Sequence, residues 1–265
     1  MMNRIVSSLS LLLLVWARGD QTAPVRLRVL TYNIHHGEGT DGRFDLSRLA
    51  GVMKSAHPDL IALQEVDQGT ERAGDVRELA ELARLMDMHA EFGKAMDYSG
   101  GAYGVGVLSR WPFLTAENRS LPTSPDNEPR TALTVRVRAG EGGPVLQFTC
   151  THFDQSRDPE NRLAQARYLN ELLVPEEGLP GILAGDMNAR PDTEVMQIIQ
   201  SQWTNASADP SPTIPPGRPR PRGDYVLFRP AGTWRVIEST VIDETVASDH
   251  RPILVVLEWI GVHVP

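Results

Sequence analysis

The sequence predicts a single globular domain of the α/β class, and three observations carry that reading. Apolar runs that alternate like strands are interleaved along the chain with amphipathic segments of helical period. A length of 265 residues with 41% hydrophobic and 6% aromatic side chains is enough to bury a full core. Neither an internal repeat nor a shift in composition marks a second domain.

The first residues stand outside this domain. Met1 to Arg4 carry positive charge, Ile5 to Trp16 form a largely apolar stretch, and Val15-Trp16-Ala17 or Ala17-Arg18-Gly19 offers small residues for cleavage. That is the pattern of a secretory signal peptide over approximately residues 1–23, with the domain occupying 24–265. The stretch falls short of the roughly 20 apolar residues needed to span a bilayer, and no cysteine follows it to accept a lipid. The expectation is a secreted or periplasmic protein, the alternative being attachment to the membrane through an uncleaved leader.

Within the domain the elements follow in order. Val25 to Tyr32 alternates as a strand, and Asp45 to Ala56 places Leu46, Leu49, Val52, Met53 and Ala56 on one helical face. Leu60 to Leu63 is a short strand after the Pro58-Asp59 turn. Val76 to Met86 reads as a helix; Gly104 to Ser109, Thr131 to Val137 and Val145 to Thr151 read as strands separated by Gly and Pro. Pro159 to Leu173 is a helix with Leu163, Ala166, Leu169, Leu172 and Leu173 as its apolar stripe. Ile182 to Ala184, Tyr225 to Phe228, Trp234 to Val241 and Ile253 to Glu258 supply the remaining strands. Between them, Pro210 to Pro221 holds six prolines and two arginines, which excludes a helix interior or a central strand. It reads as a loop, either a flap beside a site or an ordinary extended connection.

Charge and cysteine use narrow the function classes. Without residues 1–23 the balance is 24 basic against 33 acidic residues, a net charge of about −9. A protein that grips duplex DNA presents a basic face, so the balance weighs against a DNA enzyme. The lone Cys150 lies in an apolar run and reads as a core residue rather than a nucleophile. Sequons at Asn118 and Asn205 are short patterns of little weight.

Four polar clusters lie where strands end: Asn33 in LTYNIHHG, Glu65 in IALQEV, Asp186 and Asn188 in LAGDMNA, and Asp249 with His250 in ASDHRP. Hard divalent cations take oxygen ligands, often one or two carboxylates with water and substrate phosphate, and Asn33, Glu65 and Asp249 supply such oxygens. Each also has a plainer explanation, a turn cap for Asn33 or Asp249 and a solvated charge for Glu65.

Order and spacing change the weighting. TYNIHHG, QE, a strand ending SRWP, TH, GDMN, DYV and SDHRP, taken in sequence from about Val25 to Leu257, resemble the endonuclease/exonuclease/phosphatase superfamily. That superfamily includes DNase I-like nucleases, inositol polyphosphate phosphatases and bacterial sphingomyelinases. The resemblance implies a four-layer α/β/β/α sandwich, two mixed β-sheets packed face to face with helices on both outer surfaces and the catalytic groups at one edge. It implies that Asn33, Glu65 and Asp249 bind Mg²⁺ or Mn²⁺, and that Asp186 and Asn188 position the attacking water, Asp186 also accepting its proton. His250 matches the family's phosphate histidine, as base or as transition-state stabiliser, and Asp224 the carboxylate that orients it. His152 matches a second phosphate-contacting histidine; Arg130 fits either a phosphate clamp or a structural ion pair. Of His35 and His36, adjacent on an extended chain, at most one is expected to face the site. The chain departs from the family pattern at Gly223, where an aliphatic residue is usual and a looser approach of Asp224 is expected, and in Tyr103-Gly104-Val105-Gly106, which lacks the asparagine often seen in this strand.

The implied function is a monomeric, metal-dependent phosphoesterase acting on a phospholipid, phosphoinositide or other organic phosphate. TYNIHHG and the compact length are similar to small bacterial members related to the hydrolase-like part of GPI-anchor remodelling proteins. One alternative is a non-specific nuclease, for which the concentrated basic stretch is Arg218, Arg220 and Arg222. Another is a binding protein that keeps the fold without the chemistry.

Overall fold

A computed structural model describes residues 25–173, 179–214 and 222–261. The expected leader and residues 215–221 of the proline-rich segment, with Arg218 and Arg220, lie outside that description. The first half of the chain runs β1 (Arg26–Asn33), α1 (Leu46–Ser55), β2 (Leu60–Gln68), α2 (Glu78–Met86), β3 (His89–Tyr98), β4 (Gly101–Ser109) and β5 (Phe113–Ser120). The second runs β6 (Thr131–Arg138), β7 (Val145–His152), α3 (Glu160–Leu172), β8 (Gly181–Asp186), α4 (Glu194–Gln200), β9 (Thr204–Asn205), β10 (Asp224–Arg229), β11 (Trp234–Val241) and β12 (Ile253–Trp259).

The strands form two six-stranded mixed sheets, β11-β12-β1-β2-β4-β3 and β5-β6-β7-β8-β10-β9. The pairs β1–β2 and β7–β8 are parallel and the others antiparallel. Strand periodicity divides each sheet into two faces. Leu27, Val29, Leu60 and Ala62 from one sheet meet Phe148, Cys150, Ile182 and Val226 from the other in the central core. The intervening Leu30, Tyr32, Ile61 and Leu63 face outward under α1 and α2, and Leu183, Tyr225 and Leu227 face outward under α3 and α4. The result is the four-layer sandwich, each fully buried large side chain contributing about 1.5–3 kcal/mol.

The helices form where periodicity places them. Asp45 caps α1 by accepting from the Arg48 amide at 2.9 Å, and Leu46, Leu49, Ala50 and Met53 are its buried stripe. Four elements escape the sequence patterns, the shortest being the two-residue β9. Strand β5 is exposed along almost its whole length and so shows no apolar alternation, β3 is only partly buried on both faces, and α4 is seven residues long, too short to establish a period.

This layout positions the polar clusters. The inner-face rows turn polar at one end of the sandwich: Leu27-Val29-Thr31-Asn33 on β1, Phe148-Cys150-His152 on β7, Ile182-Ala184-Asp186 on β8, and Phe228-Val226-Asp224 on the reversed β10. In register, His152 pairs with Asp186 and Asp186 with Asp224, so three site residues sit side by side on adjacent strands. A polar layer closes the core beneath them: Thr31 Oγ1 donates to Gln64 Oε1, Gln64 Nε2 to Cys150 Sγ, and the Cys150 thiol to the Leu63 carbonyl, each at 3.3 Å. Burial pushes that thiol up to about 12, so Cys150 is a core residue and not a nucleophile.

Candidate active site

Asn33 is the last residue of β1, and its amide nitrogen donates to Glu65 Oε1 at 2.9 Å. Strict alternation would place Glu65 on the outer face of β2. A β-bulge prevents this: Leu63 pairs with Gly106 and Val66 with Gly104, so Gln64 and Glu65 together oppose the single Val105. Glu65 takes the left-handed conformation at φ 57°, uncommon for a residue with a Cβ, and its carboxylate turns to Asn33. Asn33 Oδ1 accepts from the His35 amide at 3.1 Å, which leaves it one lone pair. The structure thus gives Asn33 the further task of aiming the Glu65 carboxylate.

Asp249 and His250 lie in the connection between β11 and β12. Ser248 fixes this turn at the end of β1: its hydroxyl donates to the Asn33 carbonyl at 2.7 Å and accepts from the His250 amide at 3.1 Å. Asp249 Oδ1 is buried without a hydrogen-bond partner. Asp249 and Glu65 line the same cleft, of about 280 Å³, which His36, Arg72, Tyr98 and Gln155 also border.

Across the sandwich edge the groups are bonded to one another. His250 Nδ1 donates to Asp224 Oδ2 at 3.1 Å, and Thr213 Oγ1 donates to the same oxygen at 2.5 Å. Burial alone would lower the imidazole's pKa, but the Asp224 carboxylate, by charge and hydrogen bond, together with Asp186 and Asp249 pushes it up to about 10. His250 is therefore an imidazolium. Asp186 Oδ1 accepts from the Asn188 amide at 2.8 Å, while Oδ2 lies 3.6 Å from His152 Nε2 and 3.8 Å from His250 Nε2. Burial, reinforced by the charge of Asp224, raises the Asp186 carboxyl above the usual carboxylate range.

His152 is neutral, its pKa driven well down by burial and by the charges of Arg130 and His250. Arg130 Nη1 lies 3.0 Å from His152 Nδ1. A guanidinium can only donate, so Nδ1 accepts and the proton sits on Nε2. The Nε2 to Asn188 Nδ2 contact of 3.1 Å then sets two donors side by side, since the Asn188 amide is fixed by its bond to the Phe153 carbonyl at 3.0 Å. One anionic oxygen placed between them would satisfy both. Arg130 itself is buried, 2.7 Å from Glu128 and 3.4 Å from the Tyr103 hydroxyl, with Nε and Nη2 left without partners. It is thus an ion-paired residue that also holds the His152 tautomer.

The structure differs from two expectations. Both His35 and His36 border the cleft, because the chain leaves the strand at Asn33 and turns through left-handed backbone at both residues, φ 46° and 41°; strand alternation no longer applies. Gly223 does not loosen Asp224. A Cβ there would lie 2.8 Å from Asp186 Oδ1 and 2.6 Å from Ile214 Cδ1, so glycine is what lets this backbone pass Asp186 closely. Sequence reasoning missed Thr213, which is buried within the proline-rich segment and looks like any other loop threonine, and Ser248, whose place in SDHRP was the available signal. Arg222, read as part of a basic stretch, is buried; its Nε donates to the Asp224 carbonyl at 2.9 Å and its guanidinium packs over the Tyr225 ring.

Similarity to known proteins agrees with the geometry. A family model described as the endonuclease/exonuclease/phosphatase family matches residues 30–250. The protein YbhP of Escherichia coli is 28% identical over 259 residues, covering 88% of this chain and 97% of its own length. A crystal structure of an endonuclease/exonuclease/phosphatase from Beutenbergia cavernae superposes with a TM-score of 0.77 at 26% identity, over 91% of this chain and 73% of that one. The Bacteroides thetaiotaomicron mannosyl-6-phosphatase Bt3783 shares the fold with a TM-score of 0.72 at 18% identity, over 87% of this chain and 99% of its own.

Proposed function

Since this chain belongs to the endonuclease/exonuclease/phosphatase family, we propose that it is a divalent-metal-dependent phosphoesterase that cleaves an organic phosphomonoester or phosphodiester by in-line attack of water, without a covalent intermediate. The observation that carries the reading is the position of Asp186 Oδ2, 3.6 and 3.8 Å from the Nε2 atoms of two histidines. Water held at this carboxylate is oriented by it and loses its proton to it; the raised pKa of the carboxyl suits a general base. The His250 imidazolium, fixed by Asp224, faces the charge that develops on the phosphoryl oxygens, and His152 Nε2–H with Asn188 Nδ2–H receives one of them.

Glu65 and Asp249, with the free lone pair of Asn33, would hold the cation. The buried and unpartnered Asp249 Oδ1 is an anionic oxygen lacking a counter-charge, and an oxygen-only donor set suits Mg²⁺, with Mn²⁺ as a substitute. Bound there, the ion supplies positive charge to the phosphoryl oxygens and the leaving group. Asp186, Asp224 and His250 also bring ligand atoms within 4.8 Å of one another, but there His250 Nδ1 and Asp224 Oδ2 are already bonded to each other at 3.1 Å. We assign the cation to Glu65 and Asp249.

A small organic phosphate is favoured over nucleic acid. The net charge is −8, and the one arginine of the expected basic stretch that is described, Arg222, is buried. The leader pattern over residues 1–23 supports export to act outside the cytoplasm. The test is hydrolysis by the mature chain, with Mg²⁺ or Mn²⁺, of plasmid DNA, sphingomyelin, phosphatidylinositol, inositol phosphates and an aryl phosphodiester, alongside Asp186→Ala. Turnover that Asp186→Ala abolishes supports the reading. No turnover of any substrate points to a binding protein, and plasmid DNA as the best substrate to a nuclease.

A further inference from the structure

We infer that the cleft over Glu65 and Asp249 is a leaving-group subsite for a small neutral polyhydroxyl ring, a sugar or cyclitol carried as its phosphate ester; the inference rests on the phosphoesterase reading and specifies its substrate. Glu65 and Asp249, the groups assigned to the cation, line the cleft, so the group that the phosphate carries can lie in it. Its volume of about 280 Å³ is at the lower bound of small-molecule pockets, which run about 300–1,000 Å³. That suits a single ring held within the cleft.

The chemistry of the wall is specific. Arg72 forms a two-pronged ion pair with buried Asp67, Nε to Oδ2 at 2.6 Å and Nη2 to Oδ1 at 2.9 Å. Its guanidinium carbon lies 4.5 Å from the centre of the Tyr98 ring and 5.7 Å from that of Tyr103. Tyr98 is thus propped by a cation on one side yet stays 38% exposed, a rigid aromatic surface on which the C–H face of a sugar ring can pack. Gln155, His36 and the Tyr103 hydroxyl supply donors and acceptors for ring hydroxyls. The charges are already spoken for: Arg72 is paired with Asp67 and Glu128 with Arg130. Among the described residues lining the cleft, no lysine and no unpaired arginine is left to take a second phosphate or a polynucleotide backbone, and Met96 is its one aliphatic residue.

The readout is the ratio of kcat/KM for a ring phosphate to that for methyl phosphate, measured with Mg²⁺. Mannose 6-phosphate and myo-inositol 1-phosphate represent the free esters, and phosphatidylinositol vesicles represent the same headgroup on a lipid. We expect the ratio to favour one of the ring esters and to fall about tenfold in Tyr98→Ala and in Gln155→Ala. An unchanged ratio in both variants, or methyl phosphate turned over as well as every ring ester, overturns the subsite. Should no ester be cleaved, the phosphoesterase reading fails, and the subsite is judged by calorimetry with the phosphonate analogue of mannose 6-phosphate. Binding weakened about tenfold in Tyr98→Ala sustains it; equal affinity, or none in the unaltered chain, rejects it.

Discussion

Asp186, Asp224 and His250 sit in a closed network on three adjacent pieces of chain, whereas Glu65 and Asp249 line an open cleft and owe their aim to irregular backbone. In the first region the groups are tied to one another: Thr213 and His250 share one oxygen of Asp224, whose other oxygen is buried without a partner, and the Asn188 amide holds Asp186. In the second, a bulge with φ 57° turns Glu65 inward and Asp249 Oδ1 is left bare. On the proposed reading, the difference separates two kinds of preparation. Groups that move protons must hold a fixed tautomer and distance before substrate arrives, while groups that take a cation must leave an oxygen unsatisfied and tolerate the repulsion until it is bound.

The largest expected effect breaks the closed side. Asp186→Asn keeps the shape and the acceptor for the Asn188 amide but removes the base, so kcat should fall about 10²–10⁴-fold while circular dichroism and thermal unfolding change little. A kcat within tenfold of the unaltered chain would remove Asp186 from the proton-transfer role. Next comes the open side. Glu65→Gln should raise the Mg²⁺ concentration for half-maximal activity by about 10–100-fold, with much of the lost rate recovered at saturating Mg²⁺. A rate lost equally at every Mg²⁺ concentration would show that Glu65 does not hold the ion.

Thr213→Val tests how far the closed network depends on its least conspicuous member. Loss of the hydroxyl leaves Asp224 with one donor fewer and should cost about 1–3 kcal/mol in stability. It should also lower kcat several-fold with KM little changed, as expected when His250 is less firmly oriented. Thr213→Ser should restore both. If Thr213→Ser behaves like Thr213→Val, packing of the methyl group rather than the hydrogen bond is what matters.

Legibility in the sequence followed the same division. Rows such as Phe148-Cys150-His152 and Ile182-Ala184-Asp186 follow strand periodicity to their polar ends, so the closed side could be read from pattern and family order together. The bulge at Glu65, the double left-handed turn at His35 and His36, and the place of Thr213 in a proline-rich segment break local rules. Nothing in a two-residue period announces a bulge, and only the folded chain shows that Gly223 is small because Asp186 lies against it. Edge strand β5 escaped for the opposite reason, having too little burial to pattern.

The last effect bears on stability alone and concerns what stands behind the bulge. Glu78, at the start of α2, is fully buried and accepts from the Asp67 amide at 2.8 Å, just past Glu65 on β2. Burial pushes its carboxyl from 4.5 to about 8; the Asp67 amide opposes the shift and the Asp67 charge adds to it. At neutral pH the folded chain therefore carries a protonated Glu78, whereas the unfolded chain carries an ionised one. Between about 4.5 and 8 the folded state binds more protons, so this group's contribution to stability is present below that window and lost as pH rises through it. The slope is at most about 1.4 kcal/mol per pH unit. Glu78→Gln keeps an acceptor for the Asp67 amide and removes the titration, so its urea-unfolding free energy should decline less between pH 5 and 8 than that of the unaltered chain. Parallel curves for the two proteins would mean that Glu78 is ionised in the fold, and that the bulge carrying Glu65 is backed by charge rather than by a neutral carboxyl.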